Sequence, residues 1–234
     1  MLQEISKESY LFIDRFQILF GILFYCGLHK ISTKYIPDTF IKKNRIIQYH
    51  TYTYSILHSI IISITCVLYL LNYLSQIKTS FLINLSIGYT IYDFTVLINN
   101  YEIFDWKGIT LHHVAMLLLL AGRESYFNEV VIGLLSELST IFLNISWILY
   151  QSDRTNNIYF KLNSILVLVA YFFTRVLNFP YLTYISLSIY DLNPVFIFMI
   201  GFLSLLNIYW FRLLVLKAYS VKTKSQKKII DKSE

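Results

Sequence analysis

Two adjacent histidines, His112 and His113, stand in "LHHVAMLLL", and an aspartate, Asp93, closes "SIGYTIYD". His58 in "SILHS", Glu137 in "SELST" and Asn144 in "FLNIS" lie in runs just as apolar. An imidazole beside a carboxylate forms a general-base pair in which the acid fixes the tautomer. A histidine also carries an acyl group covalently. The two members of the doublet point about 100° apart on a helix, so packing alone needs only one of them. Asp93 is expected to pair with His58 or His113, and Tyr89 or Tyr92 to donate to its carboxylate. Metal chemistry is weakly signalled. There is no HxxxH or HxxHH cluster, and five histidines are too few for a membrane di-iron site.

These groups must be held by apolar elements. The 234 residues are 56% hydrophobic and only 15% charged, with a mean hydropathy of +0.55. Soluble domains run nearer about 25% charged. The apolar residues come in long runs, which implies an all-α, polytopic transmembrane bundle. Spans are predicted near 10–28, 52–72, 81–99, 109–121, 127–149, 159–179 and 195–216. The segment 181–190, "YLTYISLSIY", is too short to cross and is assigned to the interface, where Tyr is favoured.

Charge tests the count. Lys30, Lys34, Lys42, Lys43 and Arg45 fill the loop 29–51, and six lysines fill the tail 217–234. Both belong on the cytoplasmic side by the positive-inside rule, so an even number of crossings separates them. Seven spans satisfy this, with the N-terminus outside or luminal and the C-terminus inside. The tail reads as a topology anchor touching anionic headgroups and lacks a dilysine retrieval signal. The N-terminal run lacks a cleavage site and is expected to be retained. Cys26 and Cys66 are expected to be free, and the sequons at Asn84 and Asn144 unglycosylated inside spans.

On that topology His58, Asp93, the doublet and Asn144 lie at similar depth in the cytoplasmic leaflet, with Glu137 nearer the midplane. Charged groups at such depth cost at least about 2.5–3.5 kcal/mol and face the bundle interior. His58, Glu137 and Asn144 are expected to line a polar cavity with His112, His113 and Asp93. Arg175 and Glu129 are expected near the outer end as a structural ion pair, and Asn207 as inter-helical glue. Gly88 is expected to let two helices approach closely.

In order, "SILHS" (55–59), "SIGYTIYD" (86–93), "LHHVAMLLL" (111–119), "LLSELSTIFLNISWIL" (134–149), "FFTRVLNFP" (172–180) and "LNIYWFRLLVLKAY" (206–219) resemble the TLC domain of ceramide synthases, translocation-associated membrane proteins and TLC-domain lipid-homeostasis proteins. The resemblance covers 45–220, after an N-terminal span and basic loop (1–44) and before a basic tail (221–234). It implies a six-helix TLC bundle preceded by one extra span, in the endoplasmic reticulum or another endomembrane. His112 and His113 carry over from the ceramide synthase motif, and Asp93 with them, as catalytic candidates. The paired aspartates that follow in the synthases are missing. Between 127 and 149 the acids are Glu129 and Glu137 alone, as in the non-synthase members.

Three functions follow from the resemblance. The first is lipid binding or lipid homeostasis without a resident cofactor. The second is N-acylation of a sphingoid base with acyl-CoA as co-substrate. The third is a trafficking or translocation accessory. The expected partners are sphingolipid or phospholipid and not nucleic acid, and a homo-oligomer is compatible with the sequence.

Overall fold

A computed structural model describes residues 7–35, 45–102, 106–188 and 193–230, with side chains in the first and last helices described only from Phe12 and up to Tyr219. Among these residues all regular structure is helical. The elements are α1 (Lys7–Tyr35), α2 (Ile46–Leu70), α3 (Gln76–Asn99), α4 (Trp106–Ala121), α5 (Phe127–Leu134), α6 (Glu137–Gln151), α7 (Ile158–Tyr171), α8 (Asn178–Ser188) and α9 (Pro194–Ile230). Leu, Ile and Phe dominate these helices and leave many large apolar side chains facing outward. That is the pattern of a bundle solvated by lipid, because lipid tails are as apolar as the core. The chain is an integral, multi-pass membrane protein.

Six helical stretches are long and apolar enough to cross a bilayer, including Phe127–Gln151 and Ile158–Ser188. The run expected as a seventh crossing at 109–121 is α4, a helix of 16 residues. At about 1.5 Å per residue it reaches only about 24 Å, short of the hydrocarbon thickness. A 3-10 turn, Gly122–Glu124, continues it.

Two spans are irregular. Phe127–Gln151 breaks between α5 and α6 at Leu135 and Ser136. Between α7 and α8 the chain widens into a π-helical turn, Phe172–Leu177. This turn lies just ahead of Pro180, whose ring lacks a donor and excludes the carbonyl four residues back. The helix nevertheless runs through to Ser188. The expectation of a separate interfacial segment at 181–190 is therefore corrected through Ser188. Residues 189–190 lie outside the described set.

The broken span frees backbone carbonyls that side chains of the wide-turn helix then satisfy. Asn178 Nδ2 donates to the Ile132 carbonyl at 2.8 Å, and Arg175 Nε to the Ser136 carbonyl at 3.3 Å. In hydrocarbon, where no water is at hand, such compensation is obligatory. Elsewhere α1 packs closely along α3. A Cβ on Gly88 would stand 2.6 Å from the Ile18 carbonyl oxygen and 2.8 Å from Gly21 Cα, so this crossing requires glycine.

Candidate functional site

The polar residues gather where α1, α2, α3, α4 and α6 meet. Asp93, one residue past Tyr92 on α3, points to α4. His113 Nε2 lies 2.7 Å from Asp93 Oδ2, and His113 Nδ1 lies 2.8 Å from the Ile109 carbonyl oxygen. A carbonyl only accepts, so Nδ1 carries a hydrogen and donates. The Nε2–Oδ2 contact then holds one further proton between imidazole and carboxylate. His113 is thereby fixed at both nitrogens, with Phe94 stacked against its ring. Of the two partners expected for Asp93, the tertiary structure selects His113.

His112 turns away toward α9. Its ring meets Trp210 edge-on at 5.6 Å. Its Nδ1 is buried and has no hydrogen-bond partner, and neither does Asp93 Oδ1. The doublet thus divides into one engaged and one unengaged imidazole, as the 100° offset of neighbouring helical residues requires.

His58 is almost wholly buried and sandwiched between helices. Its Nδ1 is 3.3 Å from the Tyr25 hydroxyl and its Nε2 is 3.2 Å from Ser86 Oγ. Tyr89 stacks on its ring at 3.9 Å. Asp93 and Glu137 both lie within electrostatic range of it. Glu137, at the start of α6 just past the break, accepts from Ser59 Oγ at 2.7 Å. Of the residues expected to form one polar group, Asp93 and Glu137 lie within electrostatic range of both His58 and His113. Asn144 stands about two turns along α6, buried, with Nδ2 unpartnered; no hydrogen bond joins it to the histidines.

The expected Arg175–Glu129 pair is corrected. Because the wide-turn helix continues to Ser188, Arg175 stands seventeen residues after Ile158 and thirteen before Ser188. That is mid-span and not the outer end. It is 4% exposed and donates to Ser139 Oγ and Thr140 Oγ1, both at 2.7 Å, and to Asn207 Oδ1 at 3.3 Å. Asn207 also accepts from the Tyr171 hydroxyl at 3.1 Å. Glu129 sits in the first turn of α5, ahead of the break, and is not among these partners.

The N-terminal helix contributes residues that the sequence reading left out. His29 Nδ1 is 2.7 Å from the Tyr92 hydroxyl, Ser32 Oγ is 3.1 Å from His50 Nδ1, and the Tyr54 hydroxyl donates to the Leu28 carbonyl at 2.8 Å. Tyr25 and His29 are four apart in the sequence, a spacing that puts both on one helical face. That signal was readable, but nothing local said which helix it would face. A cavity of about 260 Å³ opens beside this group, lined by Ile22, Ile47 and Val96 and by His29, Tyr92 and Asn100. It adjoins Asp93 through Tyr92 and is not lined by the doublet. Free Cys26 lines it too, while free Cys66 is buried. Among the described residues no three His, Cys, Asp or Glu side chains are grouped to hold a metal.

This arrangement offers an unpartnered imidazole nitrogen at His112, a His113–Asp93 pair that holds a proton, and hydrogen-bonding groups inside an apolar bundle. Comparison with known proteins agrees with the sequence motifs. Residues 42–216 match the TLC domain. Among similar proteins, TLC domain-containing protein 1 of Homo sapiens is 28% identical over 183 residues, covering 71% of this chain and 74% of that protein. TLC domain-containing protein 2 of Danio rerio is 29% identical over 129 residues, covering 53% of this chain and 52% of that protein, so the match spans about half the length of the zebrafish relative. With the match running through α2 to α9 and including every residue of the polar cluster except those of α1, the chain belongs to the TLC-domain family.

Proposed function

We propose that this protein takes part in membrane lipid homeostasis by binding a lipid headgroup within the bundle, in the endoplasmic reticulum or a related endomembrane with its basic end toward the cytoplasm. The observation that carries this reading is the His113–Asp93 contact at 2.7 Å beside an unengaged His112 Nδ1. A bundle that needed only stability would fill those positions with leucine, since ionisable groups inside a membrane are costly and are retained where they meet a ligand or a proton. The half-open cavity between α1 and α3 supports the reading. Its lining includes both apolar side chains and the polar groups of His29, Tyr92 and Asn100.

A second reading, acyl transfer from acyl-CoA to an amine, is favoured by one feature. His112 Nδ1 is unpartnered, so His112 is the member of the doublet able to accept a proton, with Trp210 packed against its ring. The amine nitrogen attacks the thioester carbonyl and the C–S bond breaks. The amine's proton passes through His112 to the departing CoA thiolate, leaving an amide and free CoA thiol. The synthase aspartate pair is missing from 127–149, which places this reading second.

The test is lipid analysis of cells lacking their own ceramide synthases. They would express the wild type or a His112→Ala/His113→Ala variant at equal membrane levels. The expected result is altered phospholipid acyl composition with the wild type alone. Restoration of N-acylated sphingoid bases by the wild type would establish the acyl-transfer reading instead. Identical lipid profiles for both proteins would refute both readings.

A further inference from the structure

Arg175 is a cation deep in the bundle whose hydrogen-bond partners are all neutral. They are the Ser136 carbonyl, Ser139, Thr140 and Asn207, with the Tyr171 hydroxyl also in hydrogen-bonding reach and the Tyr171 ring 5.2 Å away. No carboxylate among the described residues comes within ion-pair distance of it; Asp93 is taken by His113 and Asp14 by Arg123. Glu137, one residue from Ser136, faces α2 through Ser59.

A guanidinium has five N–H groups. Nε is used on Ser139 and the Ser136 carbonyl, NH1 once on Asn207 and NH2 once on Thr140. The Tyr171 hydroxyl is within hydrogen-bonding reach of the guanidinium as well, which leaves one N–H of the terminal nitrogens for a further acceptor. The Nε edge caps the broken span and is sealed, whereas the NH2 edge borders Thr140, which is only half-buried. His112 lies within electrostatic range of Arg175 and touches Trp210, one turn from Asn207 on α9. Asn144, one turn from Thr140 on α6, is 8% exposed and has its Nδ2 donor unpartnered. Capping the carbonyl of Ser136 needs a donor but not a charge. Burying an unpaired charge costs several kcal/mol as a rule, and the wide helical turn that carries it is a feature concentrated at functional sites.

We propose that Arg175, with Thr140 and Asn207 bonded to it, binds the oxyanion of a lipid, a phosphate or an acyl carboxylate, and supplies the anionic half of the headgroup specificity of this bundle. The inference rests on the lipid-binding reading above and names the chemical class of its ligand. A guanidinium pairs its charge with either oxyanion, and the two sources are separated by the probes.

The experiment is equilibrium binding of radiolabelled phosphatidic acid, oleate and dioleoylglycerol to the purified full chain in neutral detergent. The wild type is expected to bind one or both anionic probes and to discriminate against dioleoylglycerol. Phosphatidic acid alone identifies phosphate, and oleate alone identifies carboxylate. Arg175→Gln is expected to lose the preference. Arg175→Lys keeps the charge without the fork and weakens it. Asn207→Asp is nearly isosteric, keeps the Oδ1 acceptor and places a carboxylate against NH1. It is expected to weaken the anionic probe by about tenfold or more, a factor that corresponds to about 1.4 kcal/mol. Undiminished anion binding in a folded Asn207→Asp and Arg175→Lys would overturn the proposal. So would equal affinity of the wild type for dioleoylglycerol, an outcome that leaves lipid binding itself standing. Binding of none of the three probes would overturn both.

Discussion

Replacing Gly88 by alanine tests the packing that delivers α1 to the polar cluster. The added Cβ would lie 2.6 Å from the Ile18 carbonyl oxygen, 2.8 Å from Gly21 Cα and 2.8 Å from the Ile22 nitrogen. All three are backbone atoms, so no rotamer change relieves the overlap. Ordinary contact begins at 3.4 Å, so α1 must retreat by about 0.8 Å, a gap that forfeits about a quarter to a half of the dispersion energy of each contact it opens. Overpacking of this kind costs about 1–3 kcal/mol. Against it stands the gain of about 1 kcal/mol from alanine's better helix propensity. Gly201 isolates that gain, because a Cβ there meets nothing within 4 Å. The difference between Gly88→Ala and Gly201→Ala is therefore the steric cost alone. At about 2–4 °C per kcal/mol for a chain of this size, it corresponds to about 2–12 °C in Tm. The assay is thermal unfolding in detergent, read by a thiol-reactive fluorophore on buried Cys66 in a Cys26→Ser background. Equal melting temperatures for the two variants would refute the close approach of α1 and α3. A lowered melting temperature with unchanged lipid phenotype would show that Tyr25 and His29 act in packing only.

Three further outcomes are expected. Asp93→Ala strands the buried His113 and is expected to cost about 3–5 kcal/mol, whereas Asp93→Asn, whose Nδ2–H donates to Nε2, costs less; equal losses in thermal unfolding would mean that this hydrogen bond contributes nothing. Asp14 accepts from Arg123 at 3.0 Å and Asn84 at 2.7 Å, so Asp14→Ala and Arg123→Ala are expected to be non-additive by about 0.5–3 kcal/mol in a double-mutant cycle, and additive losses would break the proposed tie between α1 and the turn after α4. Asn163 Nδ2 donates from α7 to the Phe142 carbonyl at 2.9 Å and to Ser146 Oγ at 2.7 Å on α6. Asn163→Leu is expected to destabilise by about 0.5–1.5 kcal/mol per lost bond, and a stabilised variant would mean that apolar packing governs that interface.

The membrane-spanning helices were legible because hydropathy acts locally. Runs of Leu, Ile and Phe about 20 residues long have few other stable placements. Polar residues inside those runs were legible for the same reason, since each stands out against its cost. The sequence therefore determined that this is a polytopic helical membrane protein of the TLC family, and that His58, Asp93, His112, His113 and Glu137 are its unusual residues. It did not determine partners. Asp93 had two histidines in prospect, and only the approach of α3 to α4 gave it His113. Arg175 had Glu129 as its nearest unclaimed acid in the topology, yet the helix running through Pro180 to Ser188 moved it to mid-span, among Ser139, Thr140 and Asn207. His29 and Tyr25 carried an intrahelical spacing but no hint of Tyr92 or His58. Burial is priced residue by residue along a chain, whereas pairing depends on crossing angles, breaks and wide turns set by many contacts at once. For that reason composition and spacing named the polar groups, and only the tertiary structure decided which of them meet.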